Sequence, residues 1–258
     1  MRTKEEIVKN WLPRYTHRTL EEFTPYILLT NFTDYVETFA RHFDVPVMGQ
    51  GTVMKTAIAK DITIINFGMG SPNAATIMDL LSAIKPKAVL FLGKCGGLKN
   101  TPSLGDYLLP IAAIRGEGTS NDYFAPEIPS LPAFSLLRAI SSSIHEKGRD
   151  YWTGTVYTTN RRVWEHDDAF KDYLRKTHAT GIDMETATLL MVGFANKIPT
   201  GALLMISDKP MDPDGVKTEK SDMAVTKQFA EEHLMLGVDA LNKIKENKST
   251  VKHIKFSW

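Results

Sequence analysis

Two acidic motifs lie at the ends of predicted strands and could do acid–base chemistry. The first is Ile182-Asp183-Met184-Glu185, and the second is Ser207-Asp208-Lys209-Pro210. A carboxylate such as Glu185 at a helix start can accept hydrogen bonds from vicinal ribose hydroxyls while Met184 packs on the sugar, although such acids are also favoured by the helix dipole. Asp208 can protonate a leaving group, or it can cap the turn before Pro210.

Two glycine-rich turns also follow apolar runs. The turn at 68–73 (GMGSPN) opens a helix whose first N–H groups can bind an anion or a hydroxyl, although the turn can also be merely structural. The turn at 93–97 (GKCGG) follows the next run. Ligands of α/β proteins bind at the carboxyl ends of strands, so the two turns predict a shared crevice. The turn residues predicted to contact its ligand are Gly70, Ser71, Lys94 and Gly96.

Apolar runs that alternate with helix-length segments must position these motifs. This pattern predicts an α/β fold with buried strands. The predicted strands are YILLTN (26–31), ITIINFG (62–68), AVLFLG (88–93), GDYLLP (105–110) and ALLMIS (202–207). SPNAATIMDLLSAIKP predicts a crossover helix, capped by Ser71, with Pro72 in its first turn and Pro86 at its end.

Two further segments complete the organisation. Residues 116–132 are rich in Gly, Pro and Asn and predict a long surface loop, and residues 222–246 have a helical pattern. The tail KSTVKHIKFSW (248–258) is too polar to assign. At 258 residues with 43% hydrophobic content, the chain is predicted to form one domain.

Composition limits the partners. With 31 basic and 30 acidic residues, the chain has no general attraction for nucleic acid or an anionic membrane, so any phosphate must be recognised by local geometry. Cys95 is a single cysteine and cannot form an intrachain disulfide or a cysteine-based zinc site. We expect no metal and no cofactor. Apolar runs of signal-peptide or membrane-spanning length are missing from the sequence, which favours the cytoplasm.

Six blocks carry a resemblance to a known family. They are FGMGSPNAATIMDLL, LGKCGGLK, GDYLLP, TGTVYTTNRRVWE, IDMETAT and SDKP. In order and spacing they resemble the nucleoside phosphorylase and nucleosidase family, and within it the enzymes that hydrolyse AMP to adenine and ribose 5-phosphate. The resemblance implies a three-layer α/β/α fold with a central mixed, mostly parallel twisted sheet. It also implies an N-terminal extension (1–25) before a single catalytic domain (26–258).

The resemblance implies roles for individual residues. Asp208 matches the general acid at purine N7, and Met184 and Glu185 match the ribose contacts. Val163 and Trp164 lie where the family has residues beside the base. Phe91 and Lys94 replace the residues with which phosphorylases hold inorganic phosphate, so water is the expected nucleophile.

Two parts of the expected mechanism have several candidates. For the 5′-phosphate they are Arg161, Arg162 and Lys94, or His17 and Arg18 of a neighbouring subunit. For the water-activating base, the acids nearest the first predicted strand are Asp34 and Glu37.

The resemblance implies a homo-oligomer, such as a hexamer, that acts on a small molecule. One alternative is a purine nucleoside phosphorylase or a nucleosidase for methylthioadenosine or adenosine. Another is a catalytically silent nucleotide-binding module, which would have no need of Asp208. An NAD dehydrogenase is disfavoured because residues 68–73 lack the third glycine of its fingerprint.

Overall fold

Strands and helices alternate along residues 1–246, which are the residues that the computed structural model describes. The polar tail at 248–258 lies outside them. The strands are β1 (Tyr26–Thr30), β2 (Thr56–Ala59), β3 (Ile62–Asn66), β4 (Ala88–Gly97), β5 (Tyr107–Gly116), β6 (Tyr151–Thr159), β7 (Gly181–Asp183) and β8 (Thr200–Asp208). The helices are α1 (Lys4–Thr16), α2 (Thr33–Phe43), α3 (Ser71–Leu81), α4 (Phe134–Glu146), α5 (Asp168–Thr177), α6 (Thr186–Ala195) and α7 (Glu219–Glu246).

The strands form one mixed sheet in the order β2-β3-β1-β4-β7-β6-β5-β8. The pairings β1–β3, β1–β4, β4–β8, β5–β6 and β6–β7 are parallel, whereas β2–β3, β4–β7 and β5–β8 are antiparallel. The predicted mixed, mostly parallel sheet is therefore confirmed. Because β8 also pairs with β4, the strands β4, β7, β6, β5 and β8 close into a ring.

Helices cover both faces of the sheet. Leu28 and Leu90 point into a core that α2, α4 and α7 complete. Their neighbours Ile27, Leu29 and Phe91 point to the opposite face, where α1, α3 and α6 pack. This alternation follows from the twofold periodicity of a strand, and it confirms the three-layer α/β/α architecture.

The helix that opens at the first glycine turn differs from the prediction at both ends. Gly70 is its N-cap, with a φ of +91°, so Ser71 is the first helical residue and not the cap. Pro72 lies in the first turn, as predicted. The helix ends at Leu81, where the backbone bonds change to a tighter spacing, with the Ser82 N–H donating to the Asp79 carbonyl at 3.1 Å, so Pro86 lies beyond its end.

The predicted surface loop at 116–132 is largely irregular but contains a short 3₁₀ turn (Thr119–Asp122) and is tethered. Arg115 donates hydrogen bonds to the carbonyls of Phe124, Ala125 and Ile128, which fixes the loop against β5. Helix α7 confirms the predicted C-terminal helix and begins three residues before it. No helix within residues 1–246 is long and apolar enough to cross a membrane.

The first 25 residues, predicted to be an extension, contribute α1. This helix buries Val8 and Leu12 in the same core as α3. Lys4 of its first turn donates to Asp79 at 2.6 Å and to Asn196 at 2.9 Å, so α1 connects to both α3 and the end of α6.

Candidate active site

A cavity of about 170 Å³ lies where β1, β4, β6, β7 and β8 end. Both acidic motifs and the second glycine turn reach it, whereas the first glycine turn contributes only Met69 to its lining. Gly70, Ser71 and Val163 do not line it. The predicted site residues that do line it are Lys94, Gly96, Arg161, Arg162, Trp164, Met184, Glu185 and Asp208.

Glu185 is buried between β7 and α6, with a carboxylate held by backbone donors. Its Oε1 accepts from the Gly70 N–H at 2.7 Å, and its Oε2 accepts from the Met184 N–H at 3.2 Å. Burial and, to a smaller extent, the neighbouring Asp183 carboxylate raise the pKa of Glu185 to about 7. The two backbone hydrogen bonds and one from Asn31 act in the opposite direction and lower this pKa. A carboxyl group with this pKa changes charge near neutrality, and its ionised form presents both oxygens as acceptors for hydroxyl groups.

Asp183 supports Glu185 from the adjacent position. Its oxygens accept from the Thr158 hydroxyl at 2.7 Å and from the Thr186 N–H at 2.8 Å. Burial raises the pKa of Asp183. Because these donors use its oxygens, Asp183 acts as a structural support that links β6 to the start of α6.

The first glycine turn holds Met184 and Glu185 in place. The Gly70 N–H is bonded to Glu185, and the Ser71 hydroxyl donates to the Met184 carbonyl at 2.7 Å. The turn was predicted to contact ligand with free N–H groups, but in this structure these two donors point to the protein. Its role here is to fix the position of Met184 and Glu185.

Asp208 ends β8 and is 8% exposed at the cavity. The Ser207 hydroxyl donates to its Oδ1 at 2.7 Å, and the Lys217 ammonium lies 3.5 Å from the same oxygen. Both of these contacts go to Oδ1.

The second glycine turn places Lys94 and Gly96 in the cavity wall. Lys94 is not a free cation, since its Nζ donates to Asp222 at 3.0 Å and to Thr226 at 2.5 Å. Gly96 allows a close approach, because a Cβ at this position would lie 2.8 Å from Pro210. A glycine is needed there to bring the SDKP turn against β4.

Trp164 forms an apolar wall of the cavity. It is 4% exposed and packs edge-on against Phe170, with ring centroids 5.5 Å apart. Val163 beside it is 69% exposed and lies outside the cavity, because the chain turns its side chain to solvent. Of these two predicted base contacts, the structure brings Trp164 to the site.

The two predicted arginines differ in how they are held. Arg161 donates to Asp167 at 2.9 Å and stacks over Phe170, whereas Arg162 is 3.6 Å from Glu165. The Arg162 side chain is 56% exposed. Arg162 is therefore the less constrained of the two.

The other candidates do not line the cavity of this chain. Glu37 pairs with Lys55 at 3.4 Å, and Asp34 is not among the cavity-lining residues. Arg18 is buried against Thr56 and Glu22, and His17 ends α1. Phe91 is uncharged and fully buried among core side chains, so it offers no contact to a phosphate in the cavity.

Several polar side chains in the cavity were missed from the sequence. They include Asn31, Thr159, Glu165, Lys217 and Asp222. Asn31 directly follows β1. Because ligands of α/β proteins bind at the carboxyl ends of strands, this position could have identified Asn31 as a candidate. Lys217 and Asp222 come from a loop and the first turn of α7, which only the tertiary fold brings to Asp208.

Residues 25–242 match the phosphorylase superfamily, and the chain belongs to this family. Among solved structures, it is similar to an AMP nucleosidase from Bacteroides thetaiotaomicron VPI-5482, with 67% sequence identity and a TM-score of 0.87. That similarity covers 96% of this chain and 100% of the other.

More distant relatives share the fold. The AMP nucleosidase of Escherichia coli (strain K12) is 28% identical over 277 residues, which is 90% of this chain and 57% of that protein. The chain thus spans less than two thirds of that relative's length. A uridine phosphorylase from Vibrio fischeri ES114, at 20% identity, has a TM-score of 0.74 over 88% of this chain and 93% of its own, and this likeness concerns the fold alone.

Proposed function

We propose that the protein hydrolyses the N-glycosidic bond of AMP to adenine and ribose 5-phosphate. The observation that carries the proposal is the convergence of Asp208, Glu185 and Trp164 on one cavity. Their side chains offer an acid, a hydroxyl acceptor and an aromatic face, which together fit a purine base on a ribose. The similarity to an AMP nucleosidase over nearly the whole chain supports the same substrate.

The chemistry follows from the positions of these groups. The bond from C1′ to N9 breaks, and its electron pair moves onto adenine while Asp208 gives a proton to N7. Glu185 accepts hydrogen bonds from the ribose hydroxyls, and Met184 packs on the sugar, which holds C1′ for attack. Water adds to C1′, and the proton that it releases restores the Asp208 acid.

Water is the proposed nucleophile. The aromatic side chain of Phe91 lies in the core, and Lys94 is already paired with Asp222, so neither presents an unpaired cation to inorganic phosphate. A phosphorylase would need such charge-assisted donors. The sequence-based candidates for the 5′-phosphate of AMP are Arg162, Arg161 and Lys94, of which Arg162 has the weakest protein contact.

The remaining parts of the proposal rest on the family resemblance. We infer a homo-oligomer that acts on a small-molecule nucleotide in the cytoplasm, with residues 26–258 as the catalytic domain. A single catalytic module is consistent with the match over residues 25–242.

A product assay tests the function. AMP, adenosine and methylthioadenosine are each incubated with the protein, with and without inorganic phosphate, and the sugar products are identified by phosphorus NMR or mass spectrometry. We expect adenine and ribose 5-phosphate from AMP without added phosphate. Formation of ribose 1,5-bisphosphate only when phosphate is present would instead indicate a phosphorylase, and absence of cleavage would indicate a binding module.

A further inference from the structure

Several carboxylates converge on the cavity of the candidate active site. Among residues 1–246 they are Glu165, Asp183, Glu185, Asp208 and Asp222. Carboxylates that share one cavity repel each other, and each ionised group needs partners that favour its charge. The contacts of each carboxylate therefore indicate what it does.

All of these carboxylates except Glu165 have a partner or a proposed role. Asp183 accepts from protein donors on both of its oxygens, and Asp222 pairs with Lys94 at 3.0 Å. Glu185 and Asp208 have the ribose hydroxyls and the purine N7 as their proposed partners. These assignments leave the 6-position of the purine without a recognising group.

Glu165 has one oxygen that is available to a ligand. Its Oε2 accepts from the Trp164 N–H at 2.9 Å, which holds the carboxylate beside the aromatic wall of the cavity. Its Oε1 lies 3.6 Å from the Arg162 guanidinium, which is longer than a normal hydrogen bond. The side chain is 18% exposed. Oε1 is therefore a partly desolvated, charged oxygen with capacity to accept a hydrogen bond in the cavity.

The donors of the proposed substrate fit the same assignment. The groups of AMP that donate hydrogen bonds to a protein are the ribose hydroxyls and the 6-amino group of adenine. Glu185 is the proposed acceptor for the hydroxyls, which leaves the 6-amino group. This group is on the edge of adenine that carries N7, so its acceptor must share a cavity with Asp208 and lie beside the ring. Glu165 meets both conditions.

We propose that Glu165 selects adenine, with its Oε1 accepting a hydrogen bond from the 6-amino group. The inference rests on the proposed function and adds the feature of the base that the site recognises. Hypoxanthine and guanine have a carbonyl oxygen at the 6-position. A carboxylate facing that oxygen makes a pair of acceptors without a proton between them. A site built for one hydrogen-bonding group rejects a purine that lacks it.

Kinetics with nucleotides that differ at the 6-position test this role on the full-length protein. They are AMP, IMP, which has a 6-oxo group, and purine riboside 5′-phosphate, which has only hydrogen there. In Glu165→Gln a neutral acceptor replaces a charged one, so kcat/KM for AMP should fall about tenfold. The new amide can donate to the 6-oxo group, so the preference for AMP over IMP should fall about 100-fold. The kcat/KM for purine riboside 5′-phosphate should stay unchanged.

Two further variants control for indirect effects. All three nucleotides carry the same ribose 5′-phosphate, so a changed contact between Glu165 and Arg162 affects them alike and cancels in the ratios. Asp168→Asn removes an exposed carboxylate from the first turn of α5 and should leave the ratios unchanged. Glu165→Ala removes the acceptor without adding a donor. It should lower kcat/KM for AMP about 10–100-fold and leave that for purine riboside 5′-phosphate unchanged.

An equal loss on all three nucleotides in both Glu165 variants would overturn the proposal, because Glu165 would then act through Trp164 or the fold. Ratios that match those of Asp168→Asn would overturn it as well.

Calorimetry with adenine and hypoxanthine keeps the test independent of the reaction. If the wild type cleaves no AMP, the proposed function fails. A preference for adenine that Glu165→Gln removes would still support the selection, and a wild type that binds both bases equally would overturn it.

Discussion

Glu185→Gln should remove a pH dependence of stability that burial of one carboxyl group creates. Burial and Asp183 raise the pKa of Glu185 from the ordinary 4.5 to about 7. Between these values the folded protein keeps a proton that the unfolded chain has released. The stabilising contribution is therefore complete below pH 4.5 and is lost as the pH rises to about 7.

The size of the effect follows from the shift. A pKa raised from 4.5 to about 7 corresponds to a free-energy change on the order of 3 kcal/mol. Glutamine carries no charge, so the variant lacks this change. It also places an amide N–H₂ against the Gly70 or Met184 N–H, which costs stability at every pH.

Urea unfolding of both proteins at pH 5, 6, 7 and 8 separates the two contributions. The amide mismatch gives a constant offset. The difference in unfolding free energy between variant and wild type should also shift in favour of the variant by about 2.5 kcal/mol from pH 5 to pH 8, since part of the total change occurs below pH 5. Glu219→Gln, an exposed residue of α7, controls for loss of a carboxylate. A difference that stays constant with pH would refute the reasoning about burial.

The remaining predictions concern catalysis and packing. Asp208→Asn should lower kcat by roughly 10²–10⁴-fold with AMP affinity retained, and near-normal turnover in a steady-state assay would remove Asp208 from the mechanism. Trp164→Phe should raise the KM for AMP and adenosine alike by up to about tenfold, because a smaller ring stacks less well on adenine; an effect on AMP alone would contradict a base contact. Gly96→Ala should lower the free energy of unfolding by about 1–3 kcal/mol, because the added Cβ would lie 2.8 Å from Pro210. Unchanged urea unfolding would show that the SDKP turn moves to accommodate the methyl group without loss of stability.

The sequence predicted the strands that are buried on both faces. The apolar runs correspond to β1, β3, β4, β5 and β8 because such strands carry continuous hydrophobic side chains. It missed β2, which has only four residues, and β6, whose first half is polar and exposed, with Trp152 at 39%. Periodicity alone does not distinguish such a strand from a loop.

The candidate site was predictable where one short segment carries the chemistry. Asp208 is the last residue of β8, and Glu185 comes two residues after β7. Both strands end at the cavity, so the predicted strand ends were enough to place these residues at one site. Lys217 lies in a loop and Asp222 in the first turn of α7. They were missed because no local sequence pattern indicates that these segments pack beside Asp208 at the end of β8. Ser71 was assigned as a cap because its type suits that position, but its hydroxyl bonds instead to the Met184 carbonyl, a contact between distant segments.

The pairing of β8 with β4 has a consequence for how the protein meets other copies of itself. An open sheet exposes unpaired N–H and C=O groups along both outer strands, and such edges can template strand addition between molecules. Here β8 would be one outer strand, but its pairing with β4 satisfies it. On the other side of the sheet, β2 remains an outer strand, but it has only four residues, of which two are buried. The pairing of β8 with β4 therefore removes one long edge at which backbone pairing between molecules could begin.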